Sequence, residues 1–590
     1  MIIKKVKSKL RRMKYGIDIP LDIAEAHKLD EKNGNKLWDA AIKKEFKNSR
    51  IAFQVLEEGQ TASPGWKKIT CHLVFDIKHD LTRKARYVAG GHLTGEPTSM
   101  TYASVVSRES VRIALLYAGL NGLNILAGDI QNAYLNAPTA EKNYFIAGPE
   151  WGSAEGRVVL ITRALYGLRS SAFEWRMHLS SALKEELGFG NSLADPEVWR
   201  KPMSKADGSK YYAYILVYVD DLLIIDINPK QFMDQIESIF KVKPGSIEVP
   251  NRYLGTDIGK IQYPDGSISW TMGSKAYVVE AIRNIKKRLA EDNLIFNKKL
   301  SDPNISVKQP FSSTSYRPEI DTSALCNTSQ TQFYQNLIGI LRWIVELGRI
   351  GSGYEVSVLS SFMCNPRTGY LQQTLHVFKY LDIHTDNVIA FDPAYLDISN
   401  PTDYPHEKRI HEMKVLYPDS EEVIPPNAPE PRGLPMQINC FVDSDHAGHL
   451  ITRRSHTGII MYCNLAPINW YSKRQTTVET STFGSEFVAL KTATEMIISL
   501  RYKLRMFGIP IAGPANVFCD NEAVYKNASN AQSQLKKKSH QICYHYCRSA
   551  TAAGITLVHK EDTNTNLSDI LTKSVNALKR KALRERIMIN

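Results

Sequence analysis

The sequence predicts a multidomain chain of mixed α+β and α/β class, and three observations carry that prediction. At 590 residues it exceeds what one hydrophobic core usually supports. Short β-like runs alternate with helix-compatible stretches on both sides of a proline-dense segment. A hydrophobic content of 43% and a charged content of 23% are those of a globular chain rather than a disordered one.

Taken in order, the first fourteen residues carry seven Lys or Arg and no acid, without the long apolar core of a signal peptide. Residues 1–35 are therefore read as a basic arm. From 36 to 265, CHLVFDI (71–77), NILAGDI (124–130) and YAYILVYVD (212–220) read as strands, with helix-compatible residues around 172–187. From 266 to 385 the chain turns largely helical, with Leu337, Ile340, Leu341 and Ile344 at helical spacing. Pro393, Pro401, Pro405, Pro418, Pro425, Pro426, Pro429, Pro431 and Pro435 mark 386–436 as a linker, because proline lacks the N–H that helix and sheet interiors need. From 437 to 575, INCFVD (438–443), GIIMYC (458–463) and INWYS (468–472) predict an antiparallel meander. A helix lined by Leu490, Ala493, Ile497, Leu500 and Leu504 follows, then a strand near Val517, a helix near Asn521, a strand near Ile555 and a last helix opened by Asp569. Residues 576–590 read as a basic tail.

A net charge of +13 points to a polyanionic partner, although a solvated basic surface accounts for charge alone equally well. The longest apolar run, Tyr211 to Val219, is too short to span a bilayer, so no membrane partner is expected. The eight cysteines form no CxxC pair, which fits a reducing compartment. His540, Cys543, His545 and Cys547 are close in sequence, but helical spacing brings only the two cysteines to one face, so zinc is not expected.

The chemistry lies in the acids. Asp220 and Asp221 adjoin between two apolar runs in YILVYVDDLLII, as in a hairpin whose turn carries both carboxylates. Such a pair is costly unless cations neutralise it, while a solvated surface turn is the alternative reading. Asp129 ends another apolar strand, and three carboxylates from neighbouring strands suit two divalent ions roughly 3.5–4 Å apart. Asp443, Glu486, Asp520 and Asp569 each fall at an element end further on, a second set of that kind. Taken singly, Asp569 also suits a helix cap and Glu486 a helix N-terminus.

YVDD resembles the catalytic box of reverse transcriptases, and the chain is similar to the Pol polyprotein of copia-type long-terminal-repeat retrotransposons. The resemblance rests on CHLVFDIKHDLTRKARYVAGGHL from Cys71, GDIQNAYLNAP (128–138), RALYGLRSSAFEW (163–175), LADPEVW (193–199) and YLGTDIG (253–259). It continues through TRRSHTG (452–458), INWYSKRQTTVETSTFGSEF (468–487) and DILTK (569–573), and covers about residues 36 to 586. It implies a right-hand polymerase of palm, fingers and thumb, followed by a ribonuclease H-like domain. Asp129, Asp220 and Asp221 would bind metal for synthesis. Asp443, Glu486, Asp520 and Asp569 would do so for RNA cleavage, with Asp445 a second choice to Asp443. Each site would take two Mg²⁺, with Mn²⁺ the alternative ion.

The resemblance also implies nucleotide contacts. Lys84 and Arg86 would meet the triphosphate, and Tyr134 would lie beneath the incoming sugar. Arg169 stands where the family usually has lysine, and Ser170 where it has glutamine. Lys536, Lys537, Lys538 and Arg548 are candidates for the backbone of an RNA–DNA hybrid. The expected partners are an RNA template, a DNA primer, their hybrid and dNTPs. The expected location is the cytoplasm, within virus-like particles, with access to the nucleus. A catalytically silent nucleic-acid-binding remnant is the competing expectation: protease, nucleocapsid and integrase motifs are missing, yet all seven carboxylates are present.

Overall fold

The computed structural model describes residues 12–14, 17–78, 81–97, 100–291, 307–398 and 406–589. The segment read as a basic arm is folded over much of its described length. Strands Arg12–Lys14 and Ile17–Ile19 pair, and Asp22 caps the helix Ile23–Asn33 by accepting the Glu25 backbone N–H. Residues 1–11 of that arm lie outside the described residues.

A hairpin, Cys71–Ile77 with Arg83–Ala89, stands beside a sheet of Phe53–Val55, Val158–Arg163, Pro138–Ile146 and Lys67–Lys68. Strand alternation buries Leu73, Phe75, Ala85 and Tyr87 with Trp38, which leaves Lys84 and Arg86 on the opposite face. Two glycines let this unit close onto the next segment. A Cβ on Gly91 would lie 1.9 Å from the Gly167 carbonyl oxygen, and Gly167 sits at φ +95° against the Ala89 carbonyl.

The palm is a five-stranded antiparallel sheet in the order Gly190–Asn191, Val198–Ser204, Lys210–Tyr218, Asp221–Asp226, Asn124–Asp129. Its central strands are apolar on both faces because both are covered. Tyr214, Leu216, Leu223 and Ile225 pack towards the helix Arg108–Leu120. Ala213, Ile215, Leu222 and Ile224 pack towards Ser171–Ser181 and Pro229–Ile239. A further sheet combines Arg252–Tyr253, Thr256–Gln262, Ile268–Gly273 and Val388–Phe391. Beside it the helices Lys275–Glu291, Thr328–Glu346, Gly353–Ser360 and Thr368–Ile383 share one apolar cluster.

The stretch 386–436 is not linker throughout. Val388–Phe391 is a sheet strand, and His406–Leu416 is a helix packed on Gln541–Ala552. Prolines 393 and 418 flank these elements rather than interrupt them. The remainder is tied down in places: Glu422 accepts from both Arg501 and Arg505, and Tyr117 donates to the Arg432 carbonyl.

The C-terminal sheet runs Ala466–Arg474, His456–Cys463, Ile438–Asp445, Ala515–Cys519, Thr556–Lys560, the first three antiparallel and the last two added in parallel. The 26-residue helix Thr482–Phe507 packs against it, capped by Ser481 and ended by Gly508 at φ +79°. Asp569 does not open the last helix. It lies in a 3₁₀ turn, Leu567–Leu571, capped by Asn566, and the helix restarts at Ala577 because Asn576 accepts the Lys579 N–H. The basic tail is accordingly ordered helix, with Arg580 buried on Glu355 and Ile589 paired with Val388. Among the described residues, no helix is long and apolar enough to cross a membrane.

One hydrophobic core runs from the palm into the C-terminal domain, from Val111 and Leu115 through Ile459 and Leu500 to Leu571. Arg112 crosses this junction. Its guanidinium donates to the carbonyls of Ile468 and Glu346 and lies 4.0 Å from the Trp470 ring. We expect Arg112→Ala to lower stability by roughly 3–5 kcal/mol, because a buried and a half-buried carbonyl lose their donor and a cation–π contact goes with them. Denaturant unfolding followed by tryptophan fluorescence measures the loss.

Candidate active sites

The first centre follows from strand register. Asn124–Asp129 pairs with Asp221–Asp226 so that Asp129 stands directly opposite Asp221. Tyr218 pairs with Asp221, which leaves Val219 and Asp220 as a two-residue hairpin loop. Such a loop needs a residue at positive φ, normally glycine. Here Val219 takes φ +60°, a strain of roughly 1–3 kcal/mol for a β-branched residue. The loop is held from two sides: Ile130 N–H donates to the Asp220 carbonyl at 2.8 Å, and Trp175 Nε1–H to the Val219 carbonyl at 2.7 Å.

Three carboxylates thus meet at one sheet end. Burial, then repulsion from Asp220 and Asp129, pushes Asp221 up to about 6. Burial and Asp129 also raise Asp220, opposed by Lys84 and Arg86. Lys243 lies 2.9 Å from Asp129 and partly neutralises the group. No sequence motif marked this lysine; a bridge between Ile130 and Val242 brings it there. An open cleft of about 1080 Å³ lies in front, walled by Asp129, Asp221, Lys243, Arg108 and Trp343.

Of the predicted nucleotide residues, Lys84, Arg86 and Tyr134 lie within electrostatic reach of Asp220. Lys84 is lowered by burial, then by Arg86 and Lys78, while Asp220 opposes. Arg86 lies 5.1 Å from the Tyr166 ring, and Tyr166 packs on Tyr134 at 5.0 Å. Tyr134 follows Asn132, whose φ of +54° starts a short helix straight after the Asp129 strand. Arg169 is exposed, with Nε donating to the Gly91 carbonyl, whereas Ser170 is buried and donates to Glu141.

The second centre joins Asp443, Glu486 and Asp520; Asp443 does not end its strand, since pairing with the neighbouring strand continues to Asp445, Glu486 lies one turn into the long helix, and Asp520 lies just past Cys519. One oxygen from each lies within 4.8 Å of the others. Glu486 is buried, its Oε2 has no hydrogen-bond partner, and burial followed by Asp443 and Asp520 raises it well above an ordinary glutamate. Such an arrangement fits a divalent cation, which would satisfy the orphaned oxygen and the clustered charge together.

Asp569 stands one step back. It shares a hydrogen bond with Asp443, and it pairs with Lys573 at 2.6 Å and with Lys579. Burial opposes its ionisation, but these partners hold it below the usual carboxylate range, whereas Asp443 is pushed up by burial to about 7. Asp445 lies outside the triad and lines a small separate cavity with His449 and His456.

Two expectations need correction or replacement. Arg548 is not a backbone contact. It is buried, and its guanidinium donates to the carbonyls of Asn527, Asn530 and Ala531, so it holds a loop and presents no charge outward. Lys536, Lys537 and Lys538 are exposed. A different basic surface adjoins the first cleft. A groove of about 820 Å³ is lined by Arg342, Arg454, Lys473 and Arg474 with Trp470 and Tyr471, and it shares Trp343 with the first cleft. Arg454 lies in TRRSHTG and Trp470, Tyr471, Lys473 and Arg474 in INWYSKRQ, but only the fold sets these two motifs and Arg342 along one groove. His540 faces Glu479, Tyr417 contacts His545, and Thr494 donates to Cys547. Among the described residues only Asp443, Glu486 and Asp520 form a group of three metal-capable side chains of that closeness.

A five-stranded antiparallel sheet with three acids at its hairpin end, joined to a three-antiparallel, two-parallel sheet with its own acid cluster, is the fold class of a right-hand polymerase followed by a ribonuclease H-like domain. Residues 61–288 match the family described as reverse transcriptase (RNA-dependent DNA polymerase). The chain is 25% identical over 520 residues to the Retrovirus-related Pol polyprotein from transposon RE1 of Arabidopsis thaliana, covering 86% of this chain and 30% of that relative. It is 23% identical to the corresponding polyprotein from transposon TNT 1-94 of Nicotiana tabacum, covering 87% of this chain and 35% of that one. The chain is thus similar to reverse transcriptases over residues 61–288 and to copia-type Pol polyproteins over most of its length, while spanning about a third of theirs. A foamy viral protease-reverse transcriptase, solved in complex with double-stranded DNA, aligns with a TM-score of 0.44 at 11% identity, covering 89% of this chain and 69% of that one.

Because the fold holds Asp221 near 6, above the roughly 3.9 of an unfolded aspartate, the folded state binds more protons between those values. Stability therefore falls as pH rises through that window. We expect Asp221→Asn to be more thermostable than the parent at pH 8 in EDTA, with the gap closing as pH drops from about 6 towards 4. Melting curves across pH, repeated with Mg²⁺, check this; an unchanged gap at pH 4 contradicts it.

Proposed function

We propose that the chain is an RNA-directed DNA polymerase that copies retrotransposon RNA into cDNA and then cleaves the RNA of the resulting hybrid. The observation that carries this reading is the register that sets Asp129 opposite Asp221 with Asp220 in the adjoining turn. Asp129, Asp220 and Asp221 would hold Mg²⁺, or Mn²⁺, for synthesis, and Asp443, Glu486 and Asp520 would hold it for cleavage, with Asp569 supporting Asp443. Bound there in pairs, the ions would activate the attacking oxygen and stabilise the leaving one.

The side chains supply the remainder. Lys84 and Arg86 offer positive charge on the fingers face that looks toward Asp220, suited to a triphosphate. Tyr134 limits the space beside the sugar and thereby favours deoxynucleotides. Lys243 balances charge at Asp129 until nucleotide arrives. The groove of Arg342, Arg454, Lys473 and Arg474 would carry an RNA–DNA duplex by its phosphates, with sequence left unread. An RNA template, a DNA primer and dNTPs are the partners this reading requires, in cytoplasmic particles with later nuclear access.

On poly(rA)/oligo(dT) with Mg²⁺, we expect dTTP incorporation by the parent chain and loss of at least 10³-fold (~4 kcal/mol) in Asp220→Asn, with primer-template affinity nearly unchanged. Absence of incorporation by folded parent protein overturns the polymerase reading. Glu486→Gln is expected to stop cleavage of labelled RNA in a hybrid while sparing synthesis, and normal cleavage by that variant removes the second site.

A further inference from the structure

The first centre depends on a turn that its own sequence does not favour. Tyr218-Val219-Asp220-Asp221 closes in two residues, and Val219 occupies the left-handed region at φ +60°. Glycine is the usual solution there, since a β-branched side chain is strained at that angle. Val219 is half-buried and packs on the apolar cluster that contains Trp175. Val219 lines a cavity of about 180 Å³ together with Ala103, Ala172, Trp175 and Val217. Of the two turn carbonyls, that of Asp220 is bound by the neighbouring strand through Ile130, as any sheet end would be. The Val219 carbonyl is bound by a side chain, the Trp175 indole, at 2.7 Å. Trp175 is itself fixed: it is 1% exposed and meets Phe240 edge-on at 5.3 Å.

We propose that Trp175 is a positioning residue for nucleotidyl transfer, its indole N–H holding the Val219 carbonyl so that the strained turn presents Asp220 beside Asp129 and Asp221. The inference rests on the polymerase reading given above. Trp175 lies in the helix Ser171–Ser181, two strands after Asp129 and three before Asp220, and its hydrogen bond goes to the turn backbone rather than to an acid. Its contribution is geometric: releasing the carbonyl lets Val219 relax toward negative φ, which swings the following aspartate away from its partners.

The test compares Trp175→Phe, which keeps an aromatic ring against Phe240 but removes the donor, with Val219→Gly and with the double variant. Val219→Gly removes the strain that the hydrogen bond opposes. In primer extension, Trp175→Phe is expected to lower kcat on the order of tenfold with KM for dNTP changed less than about threefold, because the loss falls on transition-state geometry rather than on nucleotide binding. In the Val219→Gly background the same substitution is expected to lower kcat less than about threefold. Melting temperatures and circular dichroism establish that each variant is folded. Equal fold-losses in the two backgrounds, or a rise in KM with kcat unchanged, overturn the proposal and leave Trp175 a packing residue. A folded parent without any incorporation overturns the polymerase reading instead, and this inference falls with it.

Discussion

Everything at the first centre depends on antiparallel register between two short strands. Asp129 and Asp221 carry like charge, and burial with repulsion from Asp220 and Asp129 makes Asp221 resist ionisation where it sits. They nevertheless stand side by side because Ile125, Ala127, Leu223 and Ile225 pair in the same ladder and bury on the same side of the sheet. A slip of one residue would turn those apolar side chains to the wrong face, so the hydrophobic pattern fixes the acids as firmly as it fixes the core. The electrostatic cost is concentrated at the sheet end, where cations and Lys243 can reach it.

The second centre meets the same constraint differently. Its three acids come from within one strand, from a helix and from the end of a second strand, so no single ladder sets their spacing. Packing of the long helix on the sheet does so, with Phe487, Leu490, Ala493 and Ile497 fully buried. The shared core and Arg112 then attach this domain to the palm as a packed junction rather than a hinge on a free linker. The basic groove along Thr328–Glu346 and Ala466–Arg474 exists only because those elements, one from each side of the linker, are set against each other.

Much of this was legible in the residues. The apolar run around YVDD, the strand ending at Asp129 and the meander after Ile438 each announced themselves by period and by the acid that interrupts them. Arg548 was misread because a lone arginine on a helix looks the same whether it faces solvent or a set of carbonyls. The proline-rich stretch was misread because proline excludes an element only where it falls, and 406–416 contains none. The tail beyond Asn576 looked merely basic, since its buried partner, Glu355, is more than two hundred residues away.

The sequence by itself determined the local elements and the chemical types, because hydrophobic period, caps and turn residues act over a few positions. It placed carboxylates at element ends and glycine at Gly167. Tertiary structure alone decided which of those carboxylates share a site, that Lys243 and Trp175 attend the first centre, and that Asp569 is balanced by two lysines. These outcomes rest on contacts between segments far apart in the chain, where distance is set by packing and register and leaves no local trace.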